Sequence, residues 1–145
     1  MIRKMQPADL EPVLNFWLAA TLQAHSFIDP AYWHNNLEPV RQMLPQAEVY
    51  VYAETANSAP LGLIGLDPEG DYIAGLFVAP EAQAQGIGKQ LLDYAKSLRS
   101  QLTLRVYQQN ERALRFYQRE GFQIENEQID EATGAAEYVM SWQAY

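Results

Sequence analysis

The chain has 145 residues, 48 % of them hydrophobic, with no cysteine and a formal net charge of −8, which suits one domain, 1–145, built around one good core. The lack of cysteine excludes disulfides, thiolate metal sites and a cysteine nucleophile, so any group transfer by this chain has to be direct. No apolar run approaches the ~20 residues of a bilayer span, Met-Ile-Arg-Lys-Met-Gln has no apolar signal core, and so acidic a chain gains little from counterion release; a cytoplasmic protein with no membrane and no nucleic acid partner is expected.

Ile2 to Met5 reads as a short edge strand. A first helix follows, with Leu10, Val13, Leu14, Trp17, Leu18 and Thr21 at spacings of three and four, so one face is buried. Pro7 and Asp9 suit its first turn, where a missing N–H does no harm and a negative charge is favoured. The connector Ala24-His25-Ser26-Phe27-Ile28-Asp29-Pro30 holds two large apolar residues where a plain connector would be polar. Phe27 and Ile28 either plug the core or, with His25, line an acceptor pocket. Asp29 and Pro30 look like a cap and first position of a second helix through Tyr32, Trp33 and Leu37, which Pro39 should kink or divide.

Three strands come next, Glu48 to Glu54, Leu61 to Leu66 and Tyr72 to Val78, with turns at Asn57-Ser58-Ala59-Pro60 and Asp67-Pro68-Glu69-Gly70, so an antiparallel meander is predicted. Regular alternation puts Tyr72 on the face of Ala74 and Leu76. After Pro80 the apolar positions Ile87, Leu91, Leu92, Ala95 and Leu98 recur at helical spacing. A strand at Leu102 to Tyr107, a helix capped by Asn110 and ended by Gly121, and strands at Phe122 to Ile129 and Glu137 to Trp142 complete the order. The apolar end of the last strand, Tyr138 to Trp142, would be free to pair across a dimer, and the state is monomer or homodimer.

The turn before the third main helix is Gln83-Ala84-Gln85-Gly86-Ile87-Gly88, followed by Lys89. A helix start leaves N–H groups without partners, the aligned peptide dipoles favour an anion there, and glycine lets a phosphate approach the backbone. Two phosphate-loop families are excluded by neighbours: Gln90 stands where a nucleoside-triphosphatase loop needs Ser or Thr, and Leu91 where a dinucleotide fingerprint needs glycine. Charge is partitioned as well. Residues 83–119 carry seven basic and two acidic side chains, a net +5, leaving −13 for the rest, which suits a polyanionic cofactor and a cationic partner.

The remaining pattern, Gln-x-x-Gly-x-Gly, resembles the pyrophosphate loop of the GNAT superfamily of acyl-CoA-dependent N-acetyltransferases. A second motif stands at the matching place, Val106-Tyr107-Gln108-Gln109-Asn110 with Ala113, Phe116-Tyr117 and Gly121-Phe122, similar to the asparagine-to-tyrosine segment after the fifth strand of many GNAT enzymes, and the element order agrees along the whole chain. The His-Ser-Phe-Ile loop resembles that of small bacterial members, some thought to act on protein lysines.

The resemblance implies an α/β (α+β) fold with a mixed, mostly antiparallel sheet of about seven strands and four helices, splayed between strands four and five. It also implies acetyl-CoA as acyl donor and no metal. The implied function is transfer of acetyl directly to a primary amine, a protein lysine or N-terminal amine; a small-molecule amine, or a non-catalytic acyl-CoA-binding module, is the alternative. Cofactor contacts fall on Leu76, Phe77 and Val78 through their backbone, on Gln83, Gln85, Gly86, Ile87, Gly88 and Lys89 in the loop, and on Asn110 and Tyr117. Gly75 either marks a bulge or the close approach of the cofactor's backbone-like arm, or it leaves room for a bulky neighbour. Tyr117 is the expected general acid for the leaving thiolate, and His25, Phe27, Ile28 and Tyr72 the expected acceptor contacts. The general base stays open among Asp67, Glu69, Asp71, His25 and water.

Overall fold

The computed structural model describes residues 1–144. Strands β1 (Ile2–Lys4), β2 (Glu48–Tyr52), β3 (Gly62–Leu66) and β4 (Ile73–Val78) pair antiparallel in sequence order. Strands β5 (Gln101–Tyr107), β6 (Gln123–Ile129) and β7 (Ala136–Gln143) make a second antiparallel sheet in the order β5-β7-β6. The two half-sheets touch at a single parallel bridge between Tyr72 and Thr103, where the Thr103 N–H donates to the Asp71 carbonyl at 3.0 Å. Beyond it β4 and β5 part.

Every residue of β3 is buried, because both faces of its sheet are covered, as its unbroken apolar run Gly-Leu-Ile-Gly-Leu suggests. Helix α1 (Leu10–Ala24) lies on one face, with Val13, Leu14, Phe16, Trp17, Ala20 and Thr21 buried and the Trp17 ring edge-on to Phe77 at 6.4 Å. Helix α4 (Ile87–Leu98) covers the other face through Ile87, Leu91, Leu92 and Ala95. Gly62 sets its approach, since a Cβ there would lie 2.9 Å from Ile87 Cγ2 and 3.1 Å from Leu91 Cδ1. Leu91 and Leu92 are wholly buried, each worth roughly 1.5–3 kcal/mol of transfer free energy.

The second helix is divided as its proline requires. Helix α2 (Pro30–Asn35) begins under the Asp29 cap, whose carboxylate accepts the Ala31 N–H at 2.9 Å, and α3 (Leu37–Met43) begins after Asn36. Pro39 has no N–H for the Asn35 carbonyl four residues back, and its ring crowds that group, so the break falls ahead of it. Helix α5 (Glu111–Arg119) starts at Asn110, whose Oδ1 accepts the Ala113 N–H, and Gly121 follows its end at φ +93.

Two expectations fail here. In β4 the register slips one residue: Leu66 faces Ile73, but Gly65 faces Gly75. Ala74 is the extra residue of a bulge, which reverses the alternation and places Tyr72 on the face of Phe77 instead of that of Leu76. Strand β7 does not offer a free edge for a dimer either. It is the middle strand of its half-sheet, Tyr138 to Trp142 facing Val106 to Leu102 on one side, with β6 on the other.

Candidate active site

The parting of β4 from β5 opens a cleft of about 1230 Å³ that runs from the start of α4 to the face covered by α1 and α2. The Ala79 N–H donates to Leu61 O at 2.8 Å, and Leu63 faces Phe77 two residues away in the same register. Hydrogen-bonded and non-bonded pairs alternate along an antiparallel ladder, so the Phe77 backbone is turned toward β3 while the N–H and C=O groups of Leu76 and Val78 face the cleft. Leu76 and Val78 therefore present their backbone to the cleft, and Phe77 presents only its ring, which occupies the space above Gly75; a Cβ on Gly75 would lie 2.4 Å from Phe77 Cε2. That glycine makes room for a bulky neighbour, one residue after the bulge.

At the other end of the cleft the chain enters α4 through two left-handed residues, Ala84 at φ 63 and Gly86 at φ 80. Gln90 N–H makes the first helical bond, to Gly86 O. Among the described residues the N–H groups from Ala84 to Lys89 have no partner within the chain, leaving six free donors around a positive helix end. Gly88 keeps the entrance open, for a Cβ there would sit 3.7 Å from the Phe116 ring and 3.8 Å from Val78 Cγ2. This is a cradle an anion fits and a side chain would fill.

The side chains of this loop have other tasks. Gln83 Nε2 donates to Val78 O at 3.2 Å and Gln23 Oε1 at 3.0 Å, and its Oε1 accepts from Arg112 at 3.0 Å, tying β4, α1 and α5 together at the mouth. Gln85 is exposed and off the cleft wall, which leaves its N–H as its contribution. Lys89 is held at the rim by Glu120 at 3.0 Å and Asp93 at 3.3 Å. Ile87 is a core residue that also borders the cleft.

Tyr117 is the one buried residue of α5, 9 % exposed, with its ring edge-on to Phe116 and Phe122. It lines the cleft, and its hydroxyl makes no hydrogen bond among the described residues. Burial pushes its acidity well past the ordinary phenol range, with the Tyr72 hydroxyl a smaller influence in the same direction, so it holds its proton at neutral pH.

On the far face the cleft is aromatic and acidic. His25 stacks on Trp33 at 4.9 Å and meets Tyr107 edge-on at 5.2 Å; Asn110 Nδ2 lies 3.5 Å from its Nε2. Burial lowers the His25 pKa, opposed weakly by the nearby Thr21 carbonyl, which does not reach hydrogen-bond geometry at the buried Nδ1. Of the other expected acceptor contacts, Tyr72 lines the cleft under the guanidinium of Arg105. Ile28 does not: it is 7 % exposed and packed with Trp17 and Trp33 in a second apolar cluster. Phe27 supports that cluster and the His25 and Tyr107 rings from behind. Asp67, Glu69 and Asp71 lie off the cleft, at the closed end of the sheet where Asp71 accepts from Gln101 and Thr103. Sequence reasoning missed Tyr107, Asp130 and Glu137, which meet on the cleft wall through pairing across β5, β7 and the loop after β6; the one local sign was a glutamate heading an apolar strand.

Unpaired strand backbone beside a buried phenol, reached past a start of free helical amides, gives donors for a carbonyl oxygen, an acid for a leaving group and a seat for phosphates, and the class this fold and site define is an acyltransferase. Residues 20–143 match the family model of the acetyltransferase (GNAT) domain. The chain belongs to the GNAT family and is an N-acetyltransferase. It is 37 % identical over 143 residues to the peptidyl-lysine N-acetyltransferase YiaC of Escherichia coli (strain K12), covering 98 % of this chain and 96 % of that one. Apo-form YjaB from Escherichia coli superposes with a TM-score of 0.86 at 26 % identity, covering 100 % of this chain and 98 % of that one. The PaiA N-acetyltransferase of Thermoplasma acidophilum, solved in complex with coenzyme A, shares the fold at a TM-score of 0.84 and 21 % identity over 99 % of this chain and 98 % of that one.

Proposed function

We propose that this protein moves an acetyl group from acetyl-CoA to the side-chain amine of a protein lysine. The observation that supports the reading is Tyr117, a buried residue of α5 that lines the cleft between β4 and β5 and makes no side-chain hydrogen bond among the described residues. The peptidyl-lysine acceptor named for YiaC, 37 % identical over nearly the whole chain, supports the choice of lysine.

Acetyl-CoA supplies the activated thioester. The free amides from Ala84 to Lys89 suit its pyrophosphate, and the cleft-facing groups of Leu76 and Val78 suit the amide-bearing arm that follows. One of those two N–H groups donates to the thioester carbonyl and favours the negative charge that grows there as the amine attacks. Tyr117 then gives its proton to the departing sulfur as the C–S bond breaks; water takes the protons that the amine nitrogen loses, and Tyr117 regains its own from solvent. A phenol of reference pKa ~10 against a thiol of ~8.5 leaves a mismatch of ~2 kcal/mol. Burial penalises tyrosinate and thiolate alike, so the difference between the two acids stays near that figure. Without cysteine in the chain, the acetyl group passes to the amine in one step.

Single-turnover acetyl transfer to a lysine peptide by Tyr117→Phe tests the assignment. The rate should fall by roughly 10²- to 10⁴-fold, with acetyl-CoA affinity within about two-fold of wild type. A variant that transfers at the wild-type rate removes Tyr117 from the mechanism. Higher kcat/KM for free polyamines or amino acids than for any lysine peptide would refute the protein acceptor.

A further inference from the structure

Glu137, the second residue of β7, lies directly opposite Tyr107 of β5 and Gln128 of β6, so it leaves the sheet on the face of Tyr107, which meets the His25 ring. It is 5 % exposed, and among the described residues its carboxylate has no ion pair; the one hydrogen-bonding side chain beside it is Gln128, directly opposite on β6. A carboxylate on so shielded a residue, with no cation paired to it, is costly to keep. Its low exposure comes with few protein atoms around its tip, because it stands in the cleft wall.

The charged groups around it are Asp130, Glu131 and Arg105, which line a second cavity of about 440 Å³ with it, Glu131 standing away from the main cleft. Asp130, also on the cleft wall, accepts the Tyr107 hydroxyl at 2.5 Å and adds a second negative charge. Arg105 is the one cation close by; its guanidinium lies over the Tyr72 ring, 5.9 Å from the centroid, and makes no ion pair with either acid within 4 Å. Burial and the charge of Asp130 raise the Glu137 pKa, and Arg105 opposes them. Two carboxylates against one arginine leave an uncompensated negative charge at the end of a cleft walled by Tyr32, Trp33, Tyr72 and Tyr107. An aromatic sleeve with an anion at its wall is matched by one chemistry, a primary ammonium on a flexible apolar stem: the rings cover the methylenes and attract the cation, and the carboxylate accepts its hydrogen bonds.

We propose that Glu137, seconded by Asp130, is the residue that recognises the acceptor's ammonium group and so sets the specificity of this enzyme for a lysine side chain. The inference rests on the lysine-acceptor reading above. The ammonium docks there before it loses its proton, and Glu137 holds the stem in line with the slot beside Tyr117.

The test is steady-state acetylation of lysine peptides by the full chain and by Glu137→Gln, which keeps the shape and removes the charge. The peptide KM should rise about 10- to 100-fold, with the KM for acetyl-CoA within two-fold and kcat changed by less than three-fold; Glu137→Asp should recover part of the loss. Should Glu137→Gln fail to fold, Asp130→Asn is measured in its place and should raise the peptide KM in the same direction. An unchanged peptide KM refutes the inference, as does a fall in kcat at constant KM, which would make Glu137 a proton acceptor. Equal losses in both KM values refute it too, because they report a disturbed cleft. Wild-type turnover on lysine peptides with any of those refuting results leaves the acetyltransferase reading standing; absence of wild-type turnover on every amine refutes both.

Discussion

Replacing Gly88 by glutamate should move stability and cofactor affinity in opposite directions. Gly88 is the second residue of α4, with ordinary helical backbone and room for a Cβ at ordinary van der Waals contact with Phe116 and Val78. There glutamate relieves the helix-propensity cost of glycine, about 0.5–1 kcal/mol, and places a negative charge at a helix start, worth about 0.3–1 kcal/mol. The sum, about 1 kcal/mol, should raise Tm by about 3 °C in a domain of this size. The same carboxylate lies among the six free amides. At roughly 5 Å from a phosphate charge and an effective dielectric of about 20, repulsion amounts to ~3 kcal/mol, or about 100-fold in affinity. Gly86 is the poorer site for this experiment, since its φ of +80 would add about 1–2 kcal/mol of backbone strain to any side chain. Calorimetric titration with acetyl-CoA beside a thermal melt reads both quantities. A folded Gly88→Glu protein that binds acetyl-CoA within two-fold of wild type would show that the helix start does not hold the pyrophosphate.

Gly62→Ala sets a methyl group 2.9 Å from Ile87 Cγ2 and 3.2 Å from the Phe77 carbonyl, so α4 must shift; a loss of about 1–3 kcal/mol in urea unfolding with unchanged m-value is expected, with a raised acetyl-CoA KM because the first turn moves too. A midpoint equal to wild type would show that α4 yields freely. Asp9→Asn breaks the paired contacts with Arg3 at 2.6 and 3.0 Å and weakens the bond from Gln6 N–H at 2.7 Å, which should cost about 3 kcal/mol at pH 7. The Arg3 hydrogen bond holds the Asp9 carboxyl below its usual range, so its contribution is complete above the unfolded pKa of ~3.9 and disappears as pH falls through the lower folded value. Urea midpoints of wild type and variant should therefore converge below about pH 4, and a gap that persists in strong acid would contradict the ion-pair account.

What local sequence encodes was legible. The Asp29 and Asn110 caps, the Pro39 break and the glycine entry into α4 each depend on a few neighbouring residues, and each lies where those residues require. The parting of β4 from β5 and the seven-strand layout came from family resemblance, since no residue in either strand forbids their pairing. Three features were out of reach for one physical reason: they depend on partners far along the chain. The Ala74 bulge exists only in the register of β4 against β3. The central place of β7 depends on β5 accepting it ahead of β6, so an apolar tail that looked free is paired on both sides. Glu137 gains its meaning from Tyr107 and Asp130, 30 residues before it and seven before it, which only the fold brings together. Ile28 was misplaced for the opposite reason, an apolar residue in a loop being usable by core and pocket alike, and Trp17 and Trp33 decide for the core.

The single bridge between Tyr72 and Thr103 has a thermodynamic corollary. Beyond it, the facing backbone edges of β4 and β5 are left to water, in the middle of the protein, where polar main-chain groups are ordinarily satisfied by another strand. An acetyl-CoA bound as proposed above would lay its amide-bearing arm in the place of that strand and tie the two half-sheets together. Ligand occupancy and folding stability are then linked quantities: each tenfold rise in free acetyl-CoA above its dissociation constant deepens the native state by about 1.4 kcal/mol. The protein's resistance to unfolding and to proteolysis thereby reports the supply of its own acyl donor.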